Sequence, residues 1–175
     1  MVAVSALGLA ACQPAAELTP DVAEEILQAT PRYTATKTSI LHVGEQEVTA
    51  MWEKHIRGLT QLADIGLVEF KLLRAPGVMP GKVKLNLTEA GMDYAEPLPD
   101  RKDFYSIRLC TREIMGISNI ETISYGTQGA IVDYVWRYGN VTPFGTVWDE
   151  DCRERRTGDA KVGFFFEPDG WRVDQ

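Results

Sequence analysis

Gly129-Ala130-Ile131-Val132-Asp133-Tyr134-Val135-Trp136-Arg137-Tyr138 is the stretch on which the reading of this chain turns. Ala130, Val132, Tyr134, Trp136 and Tyr138 occupy alternate positions and share one face, while Asp133 and Arg137 lie on the other. A period of two, carried by β-branched and aromatic side chains, marks a strand with one buried and one wetted face. Similar runs flank it at 104–115, 119–126, 161–167 and 171–174, with a charged loop at 139–160. Gly126-Thr127-Gln128-Gly129 and Pro168-Asp169-Gly170 have the composition of hairpin turns. Hairpin connections make successive strands antiparallel, so the C-terminal part is expected to be an antiparallel β-meander.

Toward the N-terminus the period changes from two to the helical 3.6. Thr19-Pro20-Asp21 opens a helix with a Thr cap, Pro at the first helical position and acidic groups in the first turn, and Pro31 ends it beyond Ala29. Tyr33 to Val43 is rich in Thr and β-branched residues and reads as extended. From Glu47 to Ala63, the residues Val48, Met51, Trp52, His55, Leu59, Leu62 and Ala63 recur along one helical face, and Gly66 closes the run. Leu67–Leu73 and Lys82–Leu87 read as two short strands joined by the turn-rich residues 74–81, and Thr88-Glu89-Ala90-Gly91 starts a brief final turn. Pro97-Leu98-Pro99-Asp100 breaks the pattern. The expected class is therefore α+β. A helix-plus-hairpin subdomain at 20–96 would precede an antiparallel sheet subdomain at 100–175.

The chain has 175 residues, 45% of them hydrophobic and 25% charged, which is the balance of a folded protein rather than a disordered one. The net charge is −7; residues 1–92 carry 8 basic and 10 acidic groups, and residues 93–175 carry 10 and 15. Neither half is a basic footprint, so no nucleic-acid partner is expected. No stretch of about 18 apolar residues is present, and no spanning helix is expected.

The first twelve residues, Met1-Val2-Ala3-Val4-Ser5-Ala6-Leu7-Gly8-Leu9-Ala10-Ala11-Cys12, are uncharged, small and apolar, and stop at Gln13-Pro14. Leu9-Ala10-Ala11-Cys12 resembles the lipobox of bacterial lipoproteins. The resemblance implies a signal peptide at 1–11, a lipidated Cys12, and a Pro/Ala tether completing 12–19. Two or three acyl chains on Cys12 would anchor stably, at roughly 0.8 kcal/mol per buried methylene. Gln13 after the Cys implies the periplasmic face of the outer membrane. Signal peptides open with Lys or Arg, and none stands here, so a start further upstream is expected.

Of three cysteines, acylation would occupy Cys12 and leave Cys110 and Cys152, which an oxidising compartment could join or which could stay apart as two thiols. By simple alternation Ile107 and Leu109 point one way and Arg108, Cys110 and Arg112 the other. A bridge would then pin the Asp149–Arg156 loop across the outer face of the sheet.

Two further resemblances are partial. Helix, Leu62-Ala63-Asp64-Ile65-Gly66-Leu67-Val68, strand, Gly/Pro turn, strand and Leu87-Thr88-Glu89-Ala90-Gly91 follow the order of a bacterial winged-helix domain, with 74–81 as its wing. The helix that would read DNA opens with Glu45-Gln46-Glu47, and residues 45–91 hold six Lys or Arg against six Asp or Glu, so the pattern is read as a scaffold reused. The run Val162-Gly163-Phe164-Phe165-Phe166-Glu167-Pro168-Asp169-Gly170-Trp171-Arg172-Val173 is similar to the closing hairpin of small exported NTF2-like or cystatin-like lipoproteins.

Catalytic patterns are missing from the sequence. His42 and His55 are its two imidazoles, without metal-ligand spacing, and His55 reads as a packed histidine. No Cys-x-x-Cys, Gly-x-Ser-x-Gly elbow, Walker loop or dinucleotide fingerprint occurs, so no metal and no cofactor are expected. Asp149-Glu150-Asp151 is followed by Arg153, Arg155 and Arg156 and reads as a self-neutralising solvated loop. The aromatic residues of the sheet are expected mainly in the core, with Trp136 and Tyr138 as candidates for edging an apolar pocket beside Asn140–Gly145. The expected function is a non-catalytic binding or assembly role in the cell envelope, with the membrane reached through Cys12 and an envelope protein as partner. The alternatives are a cytosolic winged-helix DNA-binding protein and a periplasmic hydrolase.

Overall fold

A computed structural model describes residues 17–48, 53–75, 80–125 and 127–174. The expected signal peptide and Cys12 lie outside the described residues, as do Met51 and Trp52. Along the chain the elements are α1 (Pro20–Ala29), β1 (Thr36–His42), β2 (Gly44–Val48), α2 (Glu53–Asp64), β3 (Val68–Arg74), β4 (Gly81–Leu87) and α3 (Glu89–Met92). They continue with β5 (Ala95–Pro97), β6 (Phe104–Tyr125), β7 (Thr127–Gly139), α4 (Pro143–Trp148), α5 (Glu150–Arg153), β8 (Thr157–Glu167) and β9 (Gly170–Val173). The class is α+β with antiparallel sheets, as expected.

Two sheets form. The larger has the order β1-β6-β7-β8-β9, with β5 also paired to β6; the smaller has the order β2-β4-β3. On β7 the alternation holds as read: Ala130, Val132 and Tyr134 are buried, while Asp133 faces the other way and pairs with Lys161 at 3.0 Å. The expected break between 115 and 119 is absent. Residues 104–125 are one strand, and register shifts between Ile114 and Gly116 and between Ile117 and Asn119 absorb the irregular alternation as bulges.

α1 begins where its signals say. Thr19 Oγ1 accepts from the Val22 amide at 3.4 Å, and Ala23 and Leu27 are buried on one face. That face packs on β6 and β9, joining a core of Ile114, Ala130, Val132 and Phe164. A second core gathers Leu59 and Leu62 of α2, Leu67, Leu85, Ile107, Phe144 and the cystine sulfurs. α2 closes with the Gly66 amide bonded to the Ala63 carbonyl at 2.9 Å and the Leu67 amide to that of Leu62 at 2.9 Å.

Three expectations are corrected here. Glu47 and Val48 belong to β2, not to a helix from 47: they pair with Lys82 and Gly81, Val48 is buried, and cross-strand pairing outweighs the helical spacing. The loop at 139–160 holds two short helices. Thr142 caps α4, taking the Gly145 amide at 3.1 Å, and Asp149 caps α5, taking the Cys152 amide at 2.9 Å. The break at 97–100 does not separate two sheets, because β1 and β5 from before it pair with β6 from after it. Gly145 sits hard against β6: a Cβ there would fall on the Leu109 carbonyl.

Candidate functional site: an aromatic and cationic face beside a cleft

β6 carries an extra residue where it pairs with β1. Arg108 opposes Thr38, and Cys110 opposes Lys37, the next residue of β1, so Leu109 is the bulge. The bulge inverts the alternation beyond it. Cys110 therefore turns into the core beside Ile107 instead of facing outward as expected. There it is bonded to Cys152, with Cα atoms 5.8 Å apart, and both residues are fully buried. The bridge thus lies in the core and fixes α5 to β6, and the outer face of the sheet stays clear of it.

The same inversion brings Arg112 onto the face of Trp136 and Tyr138. Arg112 opposes Tyr138 across the strands, and its guanidinium lies 4.3 Å from the Trp136 ring centre. The two rings meet edge to face at 5.1 Å. Trp136 also roofs Gly158 of β8, where an added Cβ would come within 2.7 Å of the indole. Both rings are half-buried: Trp136 packs on the first core and Tyr138 on the second. Neither lines the two clefts described below, and beside them Val141 to Trp148 is packed onto the second core.

Lys37 lies 5.0 Å from the Tyr138 ring centre and bonds Asp149 at 2.8 Å and Asp151 at 3.4 Å. Burial works against its charge, but Asp149, then Tyr138 and Asp151, outweigh that and raise its pKa. Arg156 bonds Asp151 at 3.0 Å, and with Lys37 it holds that carboxyl below its ordinary range. The acidic run is therefore a helix cap and a clasp onto β1, a correction to the solvated loop expected from composition. His42 stacks on Phe104 at 4.3 Å; His55 is exposed on α2. Among the described residues, no three His, Cys, Asp or Glu side chains converge as a metal site would require.

A polar cleft of about 370 Å³ opens where the segment between α1 and β1 crosses β6, β7 and β8, and sequence reading missed it. Arg32, Tyr33, Arg112, Tyr134, Lys161 and Asp174 line it. The Tyr33 hydroxyl donates to the Asp174 carbonyl at 2.6 Å, and the Tyr33 and Tyr134 rings meet edge to face at 6.1 Å. Burial raises the pKa of the Tyr134 hydroxyl, and the opposing pull of Arg112 and Arg32 places both guanidiniums within its field. Lys161 is paired with Asp133, whereas neither arginine has a carboxylate partner among the described residues. The residues come from five separate segments, so no local motif could announce them. A second cleft, of about 430 Å³, is lined by Glu17 to Pro20 and Ile117 to Ile120 where the chain enters α1.

No family model matches this chain, and no curated protein and no solved structure matches it either.

Proposed function

We propose that this chain is a bacterial lipoprotein, cut before Cys12 and acylated there, whose body stands on the periplasmic face of the outer membrane and binds another envelope component without catalysis. Cysteine pairing is the observation that carries the reading. Of three cysteines, Cys110 and Cys152 are bonded to each other in the core, which leaves Cys12, at the end of Leu9-Ala10-Ala11-Cys12, as the thiol to be acylated. A buried cystine agrees with folding in an oxidising compartment and argues against the cytosol. With residues 13–19 as tether, the body would stay within about 25 Å of the bilayer surface.

Residues 45–91 are best taken as a winged-helix-like scaffold without DNA binding. The order β2-β4-β3, with α2 between its first two strands in sequence and a turn-rich segment at 74–81, supports the likeness. Glu45 is occupied by Lys82, and the equal count of acids and bases gives no net pull on phosphate. The hairpin of β8 and β9, with Phe166 against Trp171 at 5.3 Å, supports the likeness to the closing hairpin of NTF2-like or cystatin-like lipoproteins.

Intact mass of the protein taken from membranes of its native host, before and after reduction, tests the anchor. The expected species begins at Cys12, carries acyl mass, and gains the mass of two hydrogens on reduction. An unacylated chain that keeps residues 1–12 and is recovered from cytosol would overturn the lipoprotein reading.

A further inference from the structure

We propose that the cleft between the α1–β1 segment and the β6–β8 face binds a small ligand through its carboxylate, with the guanidiniums of Arg112 and Arg32 as the recognising groups. The inference rests on the body being a binding module and is independent of the lipid anchor. Arg112 is half-buried, yet it has no carboxylate partner among the described residues; it is held by an aromatic ring instead. A guanidinium lying along an indole keeps its N–H edge free, and that planar fork matches a carboxylate. Because Trp136 fixes the group beforehand, little rotamer freedom is left for a ligand to remove. Trp136 is in this way a positioning residue for Arg112.

The wall opposite adds donors of the right kind. Arg32 is exposed at the mouth, and the Tyr134 hydroxyl stands in the field of both arginines. The volume of about 370 Å³ suits a small molecule. Charge then selects among anions. Lys161 is cancelled by Asp133, and among the described lining residues Asp174 sets one negative charge against the two arginines, a net of one positive charge. A carboxylate brings one negative charge, whereas a phosphate group brings more, so Asp174 opposes phosphate more strongly than it opposes a carboxylate.

The test is an NMR titration of the isotope-labelled full chain with sodium acetate, with inorganic phosphate in parallel, and chloride to hold ionic strength. Acetate is expected to shift the side-chain signals of Arg112 and Arg32 saturably, with phosphate about tenfold weaker. Arg112→Lys, which keeps the charge but loses the fork, and Arg32→Gln, an exposed change that leaves the fold intact, should each weaken acetate binding about tenfold. Lys84→Gln, on the smaller sheet, removes the same unit of charge and should leave binding unchanged. Shifts that chloride reproduces, phosphate binding as tight as acetate, or undiminished binding in both arginine variants would each overturn the proposal. An acylated chain that shows no acetate site would sink this inference and leave the lipoprotein reading standing.

Discussion

Removing the Trp136 ring takes away three contacts together: the Arg112 guanidinium at 4.3 Å, the edge of Tyr138 at 5.1 Å, and the cover over Gly158. The ring is half-buried against the first core, so truncation costs packing as well as the cation contact. Trp136→Ala is expected to lower stability by about 2–3 kcal/mol in urea unfolding, short of the largest Trp→Ala losses because the ring keeps some solvent contact. A change of only a few tenths of a kcal/mol would instead make the ring a surface group awaiting a partner. The clasp on the acidic run makes a second prediction, about pH. Arg156 first, and Lys37 after it, hold the Asp151 carboxyl below its ordinary 3.8, with burial opposing them. A lowered folded value means that the stabilisation is complete above about pH 3.8 and disappears as pH falls through the lowered value. The raised Lys37 works the other way, its share being complete below 10.5 and lost as pH rises beyond that. The stability deficit of Arg156→Gln relative to the parent should therefore be flat from pH 5 to 9 and shrink below pH 4, as read by thermal unfolding at each pH. A deficit that persists undiminished in acid would show that Arg156 acts by packing alone.

At the scale of elements, the cystine ties α5 to β6 across 42 residues of chain, and closing a loop of that length contributes about 4 kcal/mol. Cys110→Ala combined with Cys152→Ala should lose most of that amount in urea unfolding under oxidising conditions. A loss below about 1 kcal/mol would mean that Lys37, Asp149 and Asp151 already hold the loop without help. The expectation for this bridge went astray at one residue. Alternation counted from Ile107 puts Cys110 on the wet face, and the Leu109 bulge reverses it; bulges arise from pairing with β1, which a single strand's pattern does not contain. The same limit hid the continuity of β6 through Gly116. It also hid β2, whose short Gly44–Val48 run is settled by partners some 35 residues away on β4. What was legible was local: the Thr19-Pro20 start of α1, the buried face of β7, and the Gly66 stop of α2. Thr142-Pro143 repeats the Thr19-Pro20 signal and starts α4, so that helix could have been read from the sequence. The cleft could not, since Arg32, Arg112 and Asp174 converge only when α1, β6 and β9 pack.

On the scale of the molecule, β6 is the element both cores share. Its first half gives Ile107, Leu109 and Cys110 to the core under α2, and its second half gives Ile114, Ile117 and Ile120 to the core under α1. Tyr138 on β7, touching Trp136, continues one core into the other. β1 and β5 come from the N-terminal side of the Pro97–Asp100 break and take their hydrogen bonds from β6, so the larger sheet is complete in neither half of the sequence alone. The smaller sheet is bound in as well, because Leu85 and Val68 share a core with Ile107 and the cystine. Interleaving of this kind makes loss of one half expensive for the other, since it would bare apolar faces and unpaired strand edges together. The whole body is therefore expected to unfold in one step. Far-ultraviolet circular dichroism and tryptophan fluorescence, followed in the same urea series, should give coincident midpoints and a slope appropriate to the full folded length. Among the described residues, fluorescence draws on Trp148 in the core under α2 and on Trp136 and Trp171 in the core under α1, so it samples both ends of β6. Two separated transitions would mean that residues before and after the Pro97–Asp100 break fold as independent units despite the shared strand. The pairing of β1 with β6 would then be a docking contact between finished subdomains, and the cleft at Arg112 an interface that opens when they part.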